Sequence, residues 1–222
     1  MIHESITDQG NITRCPLCGS AENSLFDSRE FRRRLNFAQQ VTNRLCTACG
    51  LVFQSPRPTD AELERFYAHE YRLLYQGEEG PIAKDLAVQE KRASALLAFL
   101  QQHARFQAGP QPLRHLDIGC SSGKLLQRFQ SACNTHPVGV EPGNAYREYA
   151  IQQGLTVYSS LHDLQEAGER RFDLVSLIHV LEHLPDPAGY LISLRETFLT
   201  DSAYLLLEVP NLYAHECFEV AH

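Results

Sequence analysis

The 222-residue sequence has no apolar run long enough to cross a lipid bilayer. Its longest runs are LVSLIHVL (174–181) and AYLLLEV (203–209), whereas a membrane helix needs about 20 residues. The first residues, MIHESITDQGNITR, have neither a basic start nor an apolar segment, so we expect no signal peptide and a cytoplasmic location. A surplus of basic residues is also missing, because 20 Lys and Arg face 27 Asp and Glu, a formal net charge of −7. We therefore expect neither a membrane nor a nucleic acid as partner.

Four of the seven cysteines form two C-x-x-C pairs, in CPLCGS (15–20) and CTACGL (46–51). In a reducing compartment this pattern indicates a metal site and buried thiols rather than a disulfide framework. Each pair is followed by a glycine, which permits a tight turn. Four thiolates suit a closed, tetrahedral, structural Zn²⁺ site. We predict a loose N-terminus (1–13) and then a zinc ribbon (14–58) whose ligands are Cys15, Cys18, Cys46 and Cys49.

Two alternatives concern this cysteine-rich segment. A redox dithiol is the rival to zinc, but nothing places either pair at the start of a helix in a βαβ unit. The basic stretch SREFRRRLNF (28–37) carries Arg29 and Arg32–Arg34, which could contact phosphates. We favour a solvated hairpin tip for this stretch, because the acidic chain offers little support for nucleic-acid binding.

The remainder of the chain divides into a helical linker or cap region (59–112) and an α/β domain (113–222). Apolar spacing predicts helices over 59–76 and 82–107 in the first region. In the second, predicted strands and helices alternate, which indicates a parallel sheet covered on both faces. The predicted strands are 113–118, 136–141, 155–159, 172–178 and 203–209. The predicted helices are 122–132, 144–153, 162–168 and 187–199.

A glycine turn, DIGCSSG (117–123), follows the first predicted strand of the α/β domain. It lacks the G-x-G-x-x-G pattern of a dinucleotide fingerprint and places Asp117 before its first glycine, where an acid is a poor neighbour for pyrophosphate. About 20 residues on, the next strand ends at Glu141, where an acid ordinarily receives ribose hydroxyls. These two acids indicate a nucleoside that carries positive charge and no phosphate. S-adenosylmethionine fits that description.

Three segments, HLDIGCSSGKLL, GVEP and FDLVSLIHVLEHLPDP, resemble the successive cofactor motifs of class I S-adenosylmethionine-dependent methyltransferases across residues 113–210. The N-terminal half, CPLCGS…CTACGLVFQSPRPTDAELERFYAHEY, is similar to the zinc-binding leader of a bacterial subgroup that includes sugar C-methyltransferases. The resemblance implies a Rossmann-like parallel sheet preceded by a small zinc ribbon and helices. It also implies that the last two strands of that sheet are missing, so we expect this chain to be a fragment of a longer one.

The resemblance also implies roles for individual residues. Asp117, Gly119, Cys120 and Gly123 would line the methionine end of the cofactor. Glu141 would bind the ribose hydroxyls, and Pro142 would lie near the adenine. Ser160 and Leu161 would border the adenine, although the family often has Asp where Ser160 stands. His179 would lie beside the sulfonium.

Methyl transfer to oxygen or carbon needs an aligned acceptor and a base. Our candidates for the catalytic residues are His183, Glu182 and Tyr71, and Tyr67, His215 and His222 could also reach the acceptor. The Glu182–His183 pair has three interpretations. We favour a structural hydrogen-bond pair; the others are a general base through His183 and a metal site, as in some quinone-pathway O-methyltransferases whose related loop binds Mg²⁺.

The sequence lacks two motifs that are typical of methyltransferases acting on nucleobases. No D/N-P-P-Y/F follows the fourth strand, which argues against amino-methylation of nucleobases, and no Pro-Cys nucleophile is present for a pyrimidine C5 enzyme. We predict methyl transfer to a small molecule, with a sugar or nucleotide-linked sugar as the acceptor. The alternatives are an RNA methyltransferase that grips its substrate with the zinc ribbon and Arg29–Arg34, and a non-catalytic methyltransferase-fold binding module.

Overall fold

The computed structural model describes residues 6–7, 11–34, 37–59, 62–63, 66, 80–104, 106 and 110–211. These residues form two compact units. The first contains the described residues up to position 77 together with 185–189, and the second contains those of 78–184 and of 190 onward. Among the described residues, no helix combines the length and the apolar character that crossing a membrane requires.

The first unit consists of antiparallel strands. Two short strands lie within the segment predicted to be loose and pair with each other, β1 (Ile6–Thr7) and β2 (Asn11–Ile12). A three-stranded sheet follows, in the order β3 (Asn23–Arg34), β4 (Phe37–Cys46) and β5 (Val52–Gln54). Strands β3 and β4 form the hairpin predicted between the cysteine pairs, and within it Arg29 forms an ion pair with Asp27.

The second unit contains a five-stranded parallel sheet with helices, and this α/β architecture confirms the predicted fold class. Its strands are β6 (Leu113–Ile118), β7 (Thr135–Val140), β8 (Thr156–Tyr158), β9 (Phe172–Ile178) and β10 (Leu199–Glu208), in the order β10-β9-β6-β7-β8. The helices are α1 (Ala83–Ala104), α2 (Lys124–Cys133), α3 (Asn144–Gln152), α4 (Leu161–Glu166) and α5 (Pro187–Phe198).

Strand β10 begins four residues before its predicted start. Leu199 already pairs with Phe172, and the register then shifts before Tyr204 pairs with Leu174. The polar residues between these pairs interrupt the apolar run, so an apolar-run criterion detects only the second half of the strand. The predicted helix over 59–76 lies almost entirely outside the described residues.

Both faces of the sheet are covered, as its apolar strands require. One face packs on α5 through Leu194 and Phe198. The other packs on α1 and α2, where Leu97 and Phe129 belong to one buried cluster with Leu174 of β9. Helix α1, which the sequence places in the linker or cap region, is therefore part of the core of the α/β unit.

The strand order positions the site. From β6 the chain proceeds to β7 and β8 on one side and then returns to β9 and β10 on the other. The connections leaving β6 and β9 diverge, which opens a crevice beyond the carboxyl ends of these two strands. The glycine turn after Ile118 and the loop after Ile178 border this crevice.

Candidate functional site

Two buried carboxylates end neighbouring strands at this edge of the sheet. Asp117 of β6 is 3% exposed and Glu141, directly after β7, is 5% exposed. Desolvation raises the pKa of Asp117 to about 7; the negative charge of Glu141 adds to the rise, while a hydrogen bond from Ser176 opposes it. Asp117 has no ion-pair partner within the described part of the chain. Its carboxyl group is thus an acidic site that a cation would stabilise.

In the glycine turn, three residues adopt a left-handed backbone conformation: Gly119 (φ +74°), Ser121 (φ +51°) and Gly123 (φ +77°). The backbone N–H groups of Gly119 and Cys120 both donate to the carbonyl of Val140, over 2.8 and 3.0 Å. These bonds hold the turn against the end of β7. Helix α2 then begins at Lys124 with no side-chain cap, so no capping side chain satisfies its first backbone N–H groups.

Backbone donors orient the Glu141 carboxylate. One oxygen accepts from the N–H of Ser121 and the other from the N–H of Gly143, each over 2.8 Å. Glu141 is therefore tied both to the glycine turn and to the loop that opens α3. Pro142, between Glu141 and Gly143, is exposed at the rim.

Cys120 is a buried neutral thiol within the turn. It is 4% exposed, and desolvation raises its pKa well above the ordinary value, an effect that the charges of Asp117 and Glu141 increase. A neutral buried thiol is not a nucleophile. The burial and raised pKa of Cys120 are those of a structural rather than a reactive cysteine.

The loop after β9 brings His179 to the same edge. His179 adopts φ +56°, its backbone N–H donates to the carbonyl of Glu208 over 2.9 Å, and its Nε2 lies 2.9 Å from Oε1 of Glu208. Its Nδ1 lies 3.4 Å from Oε1 of Glu182. The imidazole is thus held between two carboxylates, of which Glu208 also pairs with Arg92 of α1 over 3.4 Å.

Glu182 and His183 occupy a short 3-10 helix over Leu181–His183. Nε2 of His183 lies 3.8 Å from Oε1 of Glu182, a distance beyond a hydrogen bond, so the shorter contact of Glu182 is with His179. Desolvation lowers the pKa of His183; Glu182 opposes this effect and His179 reinforces it. This loop does not bring three metal-ligating atoms together, because among the described residues only the four N-terminal cysteines do so.

The remaining predicted site residues are distributed as follows. Ser160 caps α4, since its Oγ accepts from the N–H of Asp163 over 3.1 Å, and Leu161 is the first residue of that helix. Tyr71 lies outside the described residues, as do Tyr67, His215 and His222.

Ser176, His115 and Ser122 are among the residues of the site that the sequence predictions miss. Ser176 donates to Oδ1 of Asp117 over 2.6 Å and lies 2.8 Å from Nε2 of His115. Ser122 donates to Gln89 of α1 over 2.5 Å, which links the glycine turn to that helix. A polar residue within a buried apolar strand was the available signal for Ser176 and His115, because such a residue needs a hydrogen-bond partner.

The four cysteines of the first unit converge. Their Sγ atoms all lie within 4.8 Å of one another, with Cys15 to Cys49 and Cys18 to Cys46 each at 3.6 Å. A tetrahedron of thiolates around Zn²⁺ at 2.3 Å has edges of about 3.8 Å, so the cluster has the dimensions of such a site. The glycines after the two pairs, Gly19 and Gly50, adopt φ +73° and +79°, as the predicted tight turns require.

In a comparison with known proteins, residues 88–219 match the family model described as a methyltransferase domain. A ubiquinone biosynthesis O-methyltransferase of Cereibacter sphaeroides is 42% identical over 93 residues, covering 39% of this chain and 37% of that protein. One of Hahella chejuensis is 34% identical over 83 residues and 34% of each chain. The matched segments thus span about a third of the length of these relatives.

Solved structures also resemble this chain. A SAM-dependent methyltransferase from Archaeoglobus fulgidus matches with 25% identity and a TM-score of 0.45, over 58% of this chain and 59% of that one. A magnesium protoporphyrin IX methyltransferase from Synechocystis with bound SAM matches with 19% identity and a TM-score of 0.43, over 67% and 79%.

Proposed function

Because this chain belongs to the methyltransferase-domain family, whose model matches residues 88–219, we propose that it transfers the methyl group of S-adenosylmethionine to a small-molecule acceptor. The observation that carries this proposal is the pair of buried carboxylates, Asp117 and Glu141, on either side of the glycine turn. A cofactor with an ammonium and a sulfonium group is stabilised beside such a pair, whereas a pyrophosphate is repelled by it.

The arrangement supports a role for each end of the site. Asp117, Gly119, Cys120 and Gly123 would line the methionine portion, with the uncapped start of α2 facing its carboxylate. Glu141 would accept from the ribose hydroxyls, since two backbone N–H groups already fix its carboxylate. Pro142, Ser160 and Leu161 would border the adenine, and His179 would lie beside the sulfonium.

When bound, the cofactor supplies a methyl group that its sulfonium has already activated. The residues of this chain must then align the acceptor, exclude water and accept a proton. We assign proton acceptance to His183, because its lowered pKa keeps the imidazole neutral at neutral pH. Glu182, 3.8 Å from Nε2 of His183, would stabilise the imidazolium that forms.

We propose a sugar or nucleotide-linked sugar as the acceptor. The resemblance of the cysteine-rich leader to that of sugar-modifying enzymes supports this class. A hydroxylated aromatic ring is the second candidate, because the relatives at 42% and 34% identity are named ubiquinone biosynthesis O-methyltransferases. Whether the methylated atom is carbon or oxygen, the acceptor must lose a proton to a base.

We further propose a structural Zn²⁺ ion held by Cys15, Cys18, Cys46 and Cys49. The distances among the four Sγ atoms support it. A closed shell of four thiolates leaves no position for substrate, so the ion would stabilise the small first unit and take no part in the reaction.

Calorimetry with S-adenosylmethionine and S-adenosylhomocysteine on the full chain tests the cofactor assignment, and we expect one site per chain. An absence of binding would refute it. Transfer of a labelled methyl group to nucleotide-linked sugars or to catechols then identifies the acceptor class. Binding without turnover on any acceptor would favour the non-catalytic module. Methylation of RNA that weakens with salt and with Arg29→Ala would favour the RNA alternative.

A further inference from the structure

A buried series of hydrogen bonds connects β6 to β9 next to Asp117. Strands β6 and β9 are parallel neighbours, and Asp117 is paired in register with Ser176. His115 lies two residues before Asp117 on β6 and therefore on the same face of the sheet. Ser176 consequently contacts both: its Oγ is 2.6 Å from Oδ1 of Asp117 and 2.8 Å from Nε2 of His115. His115 and Ser176 are both 0% exposed.

The direction of these hydrogen bonds follows from the number of protons available. An ionised carboxylate only accepts, so the single hydroxyl proton of Ser176 is donated to Asp117. Ser176 must then accept from His115, which places the imidazole proton on Nε2. Nδ1 of His115 is buried without a hydrogen-bond partner, as expected of a bare lone pair on a neutral ring. Burial lowers the pKa of His115 to about 3, in agreement with that neutral form.

We propose that Ser176 and His115 are positioning residues for Asp117: they orient its carboxylate and favour its ionised form for binding the cationic end of the cofactor. This inference rests on the proposed function. The hydroxyl of Ser176 donates to Oδ1 of Asp117 only. Within the described residues no further hydrogen bond to Asp117 is formed, so Oδ2 is left for the ligand. The aromatic ring of Phe129, 5.1 Å from that of His115, holds the imidazole from the helix side.

Four neighbouring groups determine how strongly the hydrogen bond from Ser176 affects the ionisation of Asp117. Glu141 at the end of β7 disfavours the charged form, and Ser176 of β9 favours it. Cys120 of the turn and His115 of β6 are neutral. Among these groups only Ser176 counters the charge of Glu141, so removal of its hydroxyl must raise the pH at which Asp117 ionises.

The test compares Ser176→Ala with Thr135→Val. Thr135 is a second buried hydroxyl, 4% exposed on β7 and without a partner, at the opposite end of the sheet from the crevice. In the ligand-free protein, the ¹³C carboxyl resonance of Asp117 should titrate at a higher pH in Ser176→Ala and at an unchanged pH in Thr135→Val. The affinity for S-adenosylmethionine at pH 7 should fall about fivefold in Ser176→Ala, because a rise of about one pKa unit from the present value of about 7 lowers the ionised fraction of Asp117 at that pH from about a half to about a tenth.

Several results would overturn the inference. An unchanged titration of Asp117 in Ser176→Ala, with unchanged cofactor affinity, would exclude the positioning role. If that variant does not fold, ¹⁵N spectra of the unaltered protein at pH 8 and above, where Asp117 is ionised, still decide: His115 should be neutral and protonated on Nε2, and protonation on Nδ1 would contradict the proposed hydrogen-bond directions. Failure of the unaltered protein to bind S-adenosylmethionine would instead refute the proposed function, while the titration of Asp117 still reports on Ser176.

Discussion

Val180 lies directly against Gly119: its Cγ2 is 2.6 Å from the position that a Cβ on residue 119 would occupy. The loop that carries His179 and His183 thereby reaches the glycine turn, and the close approach depends on the missing side chain. Gly119 also adopts φ +74°, which L-residues disfavour by about 1–2 kcal/mol.

Gly119→Ala should therefore reduce both the thermal stability and the affinity for S-adenosylmethionine, the latter by at least tenfold. Gly168→Ala is the matched control, since Gly168 has φ +79° and nothing within 4 Å of its added Cβ. It should lose stability from strain alone and keep its affinity. Equal losses of affinity in both variants would argue against the contact with Val180. Calorimetry and thermal unfolding measure the two quantities.

Asp117→Asn should stabilise the ligand-free protein at pH 8 while weakening cofactor binding. The pKa of Asp117 is about 7 in the folded protein against an ordinary 3.8, so the folded state binds more protons between these values. The stability contributed by this group consequently falls as pH rises from about 4 to 7. The free energy of unfolding gained on replacing Asp117 by Asn should grow over the same pH range, by at most about 4 kcal/mol at 1.36 kcal/mol per pKa unit. Urea unfolding at pH 5 and pH 8 measures it.

Asp163→Asn provides the control of opposite sign. Asp163 accepts a hydrogen bond from Ser159, which lowers its pKa; its ionised form is therefore stabilising at neutral pH, and that contribution is lost as pH falls. Asp163→Asn should destabilise the protein at pH 8. If both variants shift stability in the same direction, burial of Asp117 is not the cause.

Glu141→Gln should lower the affinity for S-adenosylmethionine by about 10- to 100-fold, the usual range for a hydrogen bond to a charged group. It also removes the negative charge that raises the pKa of Asp117. The pH below which binding weakens should therefore shift downward, opposite to the shift expected for Ser176→Ala. Calorimetric titrations from pH 5.5 to 8.5 measure both effects. A lower affinity with an unchanged pH profile would mean that the two carboxylates are not coupled.

Replacing Cys18 or Cys46 by serine should abolish stoichiometric zinc, because each supplies one of four ligands. Cys133→Ala is the control, since Cys133 is buried in the α/β unit at the end of α2. Elemental analysis should find one zinc per chain in the unaltered protein and in Cys133→Ala. Full zinc content in Cys18→Ser would refute the four-cysteine site.

His183→Gln should lower the rate of methyl transfer by about 10²- to 10⁴-fold, the contribution typical of a general base, and leave cofactor affinity unchanged. Because the pKa of His183 lies below its ordinary 6.5, the acidic limb of the rate profile should lie below pH 6.5. His136→Gln is the control, since His136 is exposed near the opposite end of β7. A rate unchanged by His183→Gln would favour the structural interpretation of this residue.

Strands β6 and β9 illustrate how far local pattern predicts this fold. Their predicted bounds, 113–118 and 172–178, equal the observed ones, because a short apolar run bounded by polar or glycine residues marks a buried strand. Strand β10 departs from its prediction at the register shift after Leu199. A bulge is a property of the pairing with β9, so the residues of β10 alone do not reveal it.

By itself, the sequence determined which residue types form the two candidate sites, because these depend on local spacing. They are four cysteines in two matched pairs, and an acid before a glycine turn with a second acid about 20 residues on. Only the tertiary structure decided which groups support them. Ser176 is 59 residues from Asp117, and His179 is 29 residues from Glu208. These contacts exist because β9 pairs with both β6 and β10, an order that arises from packing the whole sheet and that no local pattern specifies.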